Sequence, residues 1–328
     1  MKTRPLDILD LPTLARYRNQ VVSLDAARLI MRGNPLGAEG FMSYFNPARH
    51  IYTGVAQENG TTLLGSVIHT SGDSFAKLVY LAPAQELTHP NLPALIEHLS
   101  AQAGKWGAFH VLAEVDETGD AFTALRKAGF SVYAWQRIWD VSHIIPSAPA
   151  EKWTRAQAVH LPAIQSLYYQ IVPALLQPVQ QTPKRASGFI STDEVKCYVS
   201  LARGNRGILL TPFIHPETSD VAEKLASLLS HISGRGDRPV YLCVYSYQAW
   251  LEPALEDLGG KASQRQAVMV KHLARLVKDE QTVSAAEKVW AKPATPVART
   301  DSLTLTPALS QREMGQESHP RLGEGESG

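Results

Sequence analysis

The chain has 328 residues, 44% of them hydrophobic and 19% charged, and its 32 basic and 31 acidic side chains leave a formal charge of +1. That length sets two domains as the working count, and that composition excludes a wholly disordered, collagen-like or coiled-coil protein. Balanced charge removes any bulk pull toward polyanions, so no nucleic-acid and no membrane partner is expected.

In chain order, Asp10-Leu11-Pro12 opens an apolar-periodic stretch that predicts a helix. Three strand-like runs follow at 51–57, 63–69 and 75–81, separated by Glu58-Asn59-Gly60 and Ser71-Gly72-Asp73 turns. Leu92, Leu95, Ile96 and Leu99 recur at helical spacing and predict an amphipathic helix. An apolar strand at 111–115 leads to a further helix, Ala128-Gly129-Phe130, and a strand over 132–139. There Tyr133, Trp135 and Trp139 follow a period of two, which predicts one face carrying all three rings, with Gln136 and Arg137 turned the other way.

These marks return. His160-Leu161-Pro162 repeats the opening 150 positions later, with Leu161, Ile164, Leu167, Tyr168 and Ile171 on one helical face. Val221, Leu225, Leu228, Leu229 and Ile232 make a second amphipathic face, followed by a strand at 240–244, a helix through Leu251 and Leu255, and a strand at 266–270. Leu125 matches Leu255, Gly129 matches Gly259 and Gln136 matches Gln266, an offset of 130. The fall in offset predicts that about twenty residues, roughly one hairpin, are missing from the second copy. Only two strand-like runs, 195–202 and 208–215, stand in its middle. Duplication predicts a separate sheet in each half, and one uninterrupted sheet would overturn that reading.

The domains expected are therefore 1–145 and a shorter 152–280, joined by a linker at 146–151. From 281 to 328 a Pro-, Gly-, Ser- and Glu-rich run cannot bury enough apolar surface to offset its ordering entropy, which predicts a disordered tail. Residues 302–313 have the look of a translated intergenic repeat. Cys197 and Cys243 stand without a CxxC or a His cluster, so neither a disulfide framework nor a metal site is expected. The start lacks an apolar stretch of signal-peptide length, and no run of 18 apolar residues occurs, so a soluble, reducing, cytoplasmic setting is expected.

The order helix, antiparallel strands, helix, strand, helix, Gly, strand resembles the GCN5-related N-acetyltransferases (GNAT). The best local match is Phe122-Thr123-Ala124-Leu125-Arg126-Lys127-Ala128-Gly129-Phe130, similar to that family's penultimate helix ending on a left-handed Gly. The resemblance covers about 3–143 and, more weakly, 152–278. It implies an α+β fold of two tandem GNAT-like domains, each a mixed, mostly antiparallel sheet flanked by helices, with acetyl-CoA as cosubstrate and no metal.

In that family a Gly-rich loop after the central strand offers backbone N–H groups to the coenzyme pyrophosphate. The matching positions include Gln85, Leu87, Thr88, His89 and Asn91, but the loop has no glycine, Pro90 cannot donate, and Glu86 opposes a phosphate by about 1 kcal/mol at 4 Å in water. In the second copy Pro216-Glu217-Thr218-Ser219-Asp220 predicts a self-capped helix start. The family's usual proton-donating Tyr is replaced by Leu125 and Leu255. Glu114, with Asp116 and Glu117 beside it, is the candidate general base, and Tyr80 would face the thioester. For each of these the plainer account is a solvated strand end or core packing. Tyr245, Tyr247, Gln248 and His215 could line a pocket, or form an aromatic cluster around Trp250. Ser233-Gly234-Arg235-Gly236-Asp237 is read as an ordinary turn.

Two functions follow. One is an acetyl-CoA-dependent N-acyltransferase acting on a small amine, with degenerate coenzyme loops. The other is a non-catalytic small-molecule binding or assembly protein that keeps the fold.

Overall fold

The computed structural model describes residues 2–37, 49–58, 60–145, 153–180, 182–191, 195–232 and 236–273. The expected linker at 146–151, the tail from 281 and residues 233–235 of the glycine-rich turn lie outside them.

The first half runs β1 (Lys2–Pro5), α1 (Leu11–Tyr17), β2 (Val22–Ser23), α2 (Ala26–Arg32), β3 (Arg49–Glu58), β4 (Thr61–Thr70), β5 (Phe75–Ala82), α3 (Leu92–Lys105), β6 (His110–Asp116), α4 (Asp120–Lys127) and β7 (Ser131–Asp140). The second runs β8 (Trp153–Arg155), α5 (Leu161–Ile171), β9 (Gly188–Ser191), β10 (Cys197–Arg203), β11 (Ile208–Ile214), α6 (Val221–His231), β12 (Val240–Tyr245), α7 (Glu252–Asp257), β13 (Lys261–Ala262) and β14 (Gln266–His272).

The strands form one sheet, in the order β1-β3-β4-β5-β6-β14-β7-β12-β11-β10-β9-β8. The expectation of two sheets is corrected, yet the duplication stands, because the order is a palindrome. Each half contributes five strands in the same arrangement and gives its last strand to the other: β14 pairs with β6, and β7 with β12. β7 and β14 meet antiparallel at the centre, with Gln136 directly opposite Gln266. The exchange closes what would otherwise be two exposed sheet edges, and both halves belong to one unit, Met1–Leu276.

The missing hairpin is also corrected. Three strands, β9, β10 and β11, fill the middle of the second half; β9 has only four residues and starts on Gly188, too short for alternation to show. The surplus of the first half lies instead in β2, α2 and the residues leading to β3.

The helices obey the apolar spacing. α3 buries Leu92, Leu95, Ile96 and Leu99 against Leu78, Leu81 and Val111. α6 buries Leu225, Leu228 and Leu229 against Leu210 and Leu242. Both α4 and α7 end as expected: Gly129 and Gly259 share φ +83°, the left-handed cap that a side chain would strain. Leu125 and Leu255, at 0% and 1% exposure, are packing residues.

The aromatic row does not hold. Tyr133 is the extra residue of a β-bulge against β14, since Val132 pairs with Met269 and Ala134 with Val268. The bulge resets alternation, so Tyr133 joins the cluster under α5, whereas Trp135 and Trp139 reach the clusters under α3 and α6. Gln136 is buried among polar groups at the centre, while Arg137 instead pairs with Glu252 of α7 at 2.6 Å.

Candidate functional site

In each half two parallel strands part. The β5–β6 rungs end at Lys77 and Leu112, although β5 runs on to Ala82 and β6 to Asp116. The β11–β12 rungs end at Leu210 and Leu242, while those strands continue to Ile214 and Tyr245.

The first opening is filled by the chain itself. Val79 is a bulge residue, since Val67 pairs with Leu78 and Ser66 with Tyr80. Its carbonyl accepts from the Leu24 N–H at 2.8 Å, and the Glu114 N–H donates to the Leu24 carbonyl at 2.9 Å. β2 continues the pairing through Val22 opposite Leu81 and Ser23 opposite Tyr80. Residues 22–24 are thus a strand wedged between β5 and β6, with the Leu24 side chain 1% exposed in the core. The loop beyond Pro83 is likewise engaged. Ala84 N–H donates to Gln20 at 2.8 Å, Glu86 N–H to Pro83, His89 N–H to Glu86, and Asn91 N–H to the His89 ring. Asn91 also donates from its side chain to Glu58. Of the residues matched to the coenzyme loop, Gln85 and Thr88 are exposed, Leu87 is buried, and His89 and Asn91 are half-buried.

Among the described residues, no backbone hydrogen bond from another segment enters the second opening. At its rim the helix start is not self-capped: Asp220, at φ +55°, makes no side-chain cap to α6. Glu217, Asp220 and Glu223 nonetheless set negative charge there.

A cavity of about 550 Å3 lies where the halves meet, walled by Phe75, Lys77 and Glu114 from the first half and by Thr211, Phe213 and Tyr245 from the parted strands of the second. Glu114 is held by three partners. Its carboxylate accepts from the Ala26 N–H at 2.9 Å and from Gln136 at 3.3 Å, and it lies 3.4 Å from Lys77, which is also 3.6 Å from Asp25. Burial alone would lower the Lys77 pKa, but the two carboxylates outweigh it and hold the ammonium above its ordinary value. Gln136 then reaches Gln266 at 3.2 Å and accepts from the Cys243 thiol at 3.7 Å. Burial first, and then the Glu114 charge, push the Cys243 thiol up, against an opposing pull from Lys77. Tyr245 is raised well above the phenol range by burial, with Cys243 and Glu114 adding to it. Its ring stacks on Tyr247 at 5.5 Å, and the Tyr247 hydroxyl is tied to Gln180 at 3.0 Å.

The candidates therefore separate. Glu114 stands in the cavity wall; Tyr80, 1% exposed, sits in the core under α1. Asp116 accepts from Gln266, and Glu117 pairs with Arg265 at 2.5 Å. Tyr245 lines the cavity, whereas the aromatic stack is centred on Tyr245 and Tyr247, leaving Trp250 38% exposed. Lys77, Asp25 and Thr211 also belong here, although nothing in the sequence singled them out beyond the presence of a lysine inside the apolar run 75–81.

No protein-family model matches the chain, and no curated protein sequence does. Solved structures do. A GCN5-related N-acetyltransferase from Sphaerobacter thermophilus aligns over 83% of this chain and 95% of its own, at 11% identity and a TM-score of 0.51. A tandem GNAT protein from the clavulanic acid biosynthesis pathway aligns over 84% and 99%, at 16% identity and 0.49. A putative acetyltransferase from Pyrococcus horikoshii aligns over 83% and 89%, at 8% and 0.49. The first of these carries the argument: the chain has the GCN5-related N-acetyltransferase fold, and the likeness spans both halves.

Proposed function

We propose that the chain is an acyl-coenzyme A-dependent N-acyltransferase of small amines in which only the second half admits the coenzyme. The observation behind this is the contrast between the two openings: one is bridged by residues 22–24, and the other borders directly on the cavity through Thr211 and Tyr245.

The residues then take different roles from those the sequence suggested. Glu114, held by the Ala26 N–H, Gln136 and Lys77, is a positioned carboxylate that orients an ammonium in the cavity. Tyr245 keeps its proton far above neutral pH, so its hydroxyl serves as a hydrogen-bond donor to the developing oxyanion. The ammonium first gives one proton to water; the neutral amine nitrogen then bonds to the acyl carbon as the C–S bond breaks, and its second proton passes to the departing sulfur, leaving an amide and the free coenzyme thiol. Rate comes from holding the partners together.

Titration calorimetry with acetyl-CoA should give one site per chain. At a hundred times the dissociation constant the ligand should add about 2.7 kcal/mol of stability. Two sites would refute the role given to residues 22–24. No binding at millimolar concentration would favour the second reading, a non-catalytic binder that uses the same cavity, which the acids at the start of α6 support.

A further inference from the structure

A second cavity, of about 820 Å3, shares Thr70, Asp73, Phe75 and Lys77 with the first, and four arginines stand in its wall. Arg28 and Arg32 come from α2, Arg49 is the first residue of β3, and Arg203 is the last of β10. Its two carboxylates are already engaged. Asp25 accepts from the Arg28 N–H at 3.1 Å and faces Lys77, and Asp73 pairs with Lys184 at 2.7 Å. Among the described residues, the side chains of Arg32, Arg49 and Arg203 make neither a hydrogen bond nor an ion pair.

This gathering of charge is built into the packing. Gly204 lies so close to the end of α2 that a Cβ there would overlap the Met31 backbone. The Arg206 N–H donates to the Met31 carbonyl at 3.1 Å and fixes the β10–β11 turn against the helix. Two arginines far apart in the chain, Arg32 and Arg203, are thereby brought to one concave wall. Uncompensated like charges in a concavity focus a positive potential and repel one another, so an anion is what the arrangement favours. Guanidinium forks match phosphate oxygens in pairs, and three of them exceed what a single carboxylate could answer.

We propose that this cavity binds a phosphorylated small molecule, its phosphate among Arg32, Arg49 and Arg203 and its body extending toward Phe75. The site stands whether or not the second opening takes coenzyme.

The test is calorimetry of the full chain with inorganic pyrophosphate at constant ionic strength. Saturable binding with one site is expected, weakened at least tenfold in the double variant Arg32→Gln, Arg203→Gln and, separately, in Arg49→Gln should the double variant fail to fold. A control double variant, Lys127→Gln and Arg155→Gln, both exposed and outside the cavity, should bind as the parent does. The arginine variants should keep their acetyl-CoA affinity, which separates this site from the coenzyme opening. Absence of saturable binding in the parent, or equal weakening in the control, would overturn the proposal.

Discussion

Where β5 and β6 part, residues 22–24 supply both strands with backbone partners; where β11 and β12 part, the chain supplies none among the described residues, and Pro212 has no N–H to leave unpaired. The duplicated fold thus preserves its strand order in both copies while giving the same gap two fates. A parted pair of parallel strands leaves polar backbone groups that must be satisfied, and either protein or ligand can do it. In the first half the chain itself supplies those partners.

The largest effect should come from loosening that closure. Leu24→Ala removes a fully buried side chain and should cost about 2–5 kcal/mol, seen as a fall in Tm or in the urea midpoint. A second acetyl-CoA site appearing in this variant would show that the wedged strand alone bars the coenzyme. A change under 1 kcal/mol would mean that residues 22–24 are only loosely seated.

Next in size is the hydroxyl assigned to the second half. Tyr245→Phe should lower kcat by about a hundredfold or more with little change in KM, the scale of losing one oxyanion donor. Tyr80→Phe, in the core of the first half, should leave kcat alone and alter only stability. If the two results were exchanged, the active opening would have been placed in the wrong half.

Much of this was legible locally. The equivalence of Gly129 with Gly259, of Leu125 with Leu255 and of Gln136 with Gln266 rests on spacing within one helix and one strand, and the chain carries that information in a few neighbouring residues; that the two glutamines face each other was not in it. What escaped depends on distance. Leu24 meets Val79 and Glu114 across 55 and 90 positions, so nothing near residue 24 announces a strand of three residues. Strand β9 is too short for a period, and the bulge at Tyr133 breaks one that looked intact. Of the cavity wall, only the end-of-strand residues Glu114 and Tyr245 were within reach; Lys77 became meaningful once Asp25 and Glu114 stood beside it.

A smaller effect should appear with pH, and in the first half. His98 is held below the usual histidine range by burial and then by Lys105, and His110 by burial and then by His272. The unfolded chain, with histidines near 6.5, takes up these protons first as pH falls. The stability they contribute is therefore complete above about pH 6.5 and is lost as pH drops through their folded values. Tm should decline on going from pH 7 to 5, and His98→Gln should flatten the decline. A Tm that rises over that interval would contradict the assignment.

The smallest expected effect sharpens the comparison most, because it applies one chemical change to both halves. A carboxylate about 4 Å from a phosphate costs about 1 kcal/mol in water, roughly a fivefold loss of affinity. Asp220→Asn at the start of α6 should therefore raise acetyl-CoA affinity by up to about fivefold. Asn tolerates the left-handed backbone at φ +55°, so the fold is preserved, although losing a negative charge at a helix start should cost about 0.3–1 kcal/mol of stability. Glu86→Gln makes the same neutralisation after β5, where the opening is already bridged, and should leave the affinity unchanged. Measured side by side by calorimetry, a gain from Asp220→Asn and none from Glu86→Gln places the coenzyme in the second half. A gain from Glu86→Gln alone would mean that the wedged strand yields to the ligand, and the contrast between the halves would then belong to the free protein only.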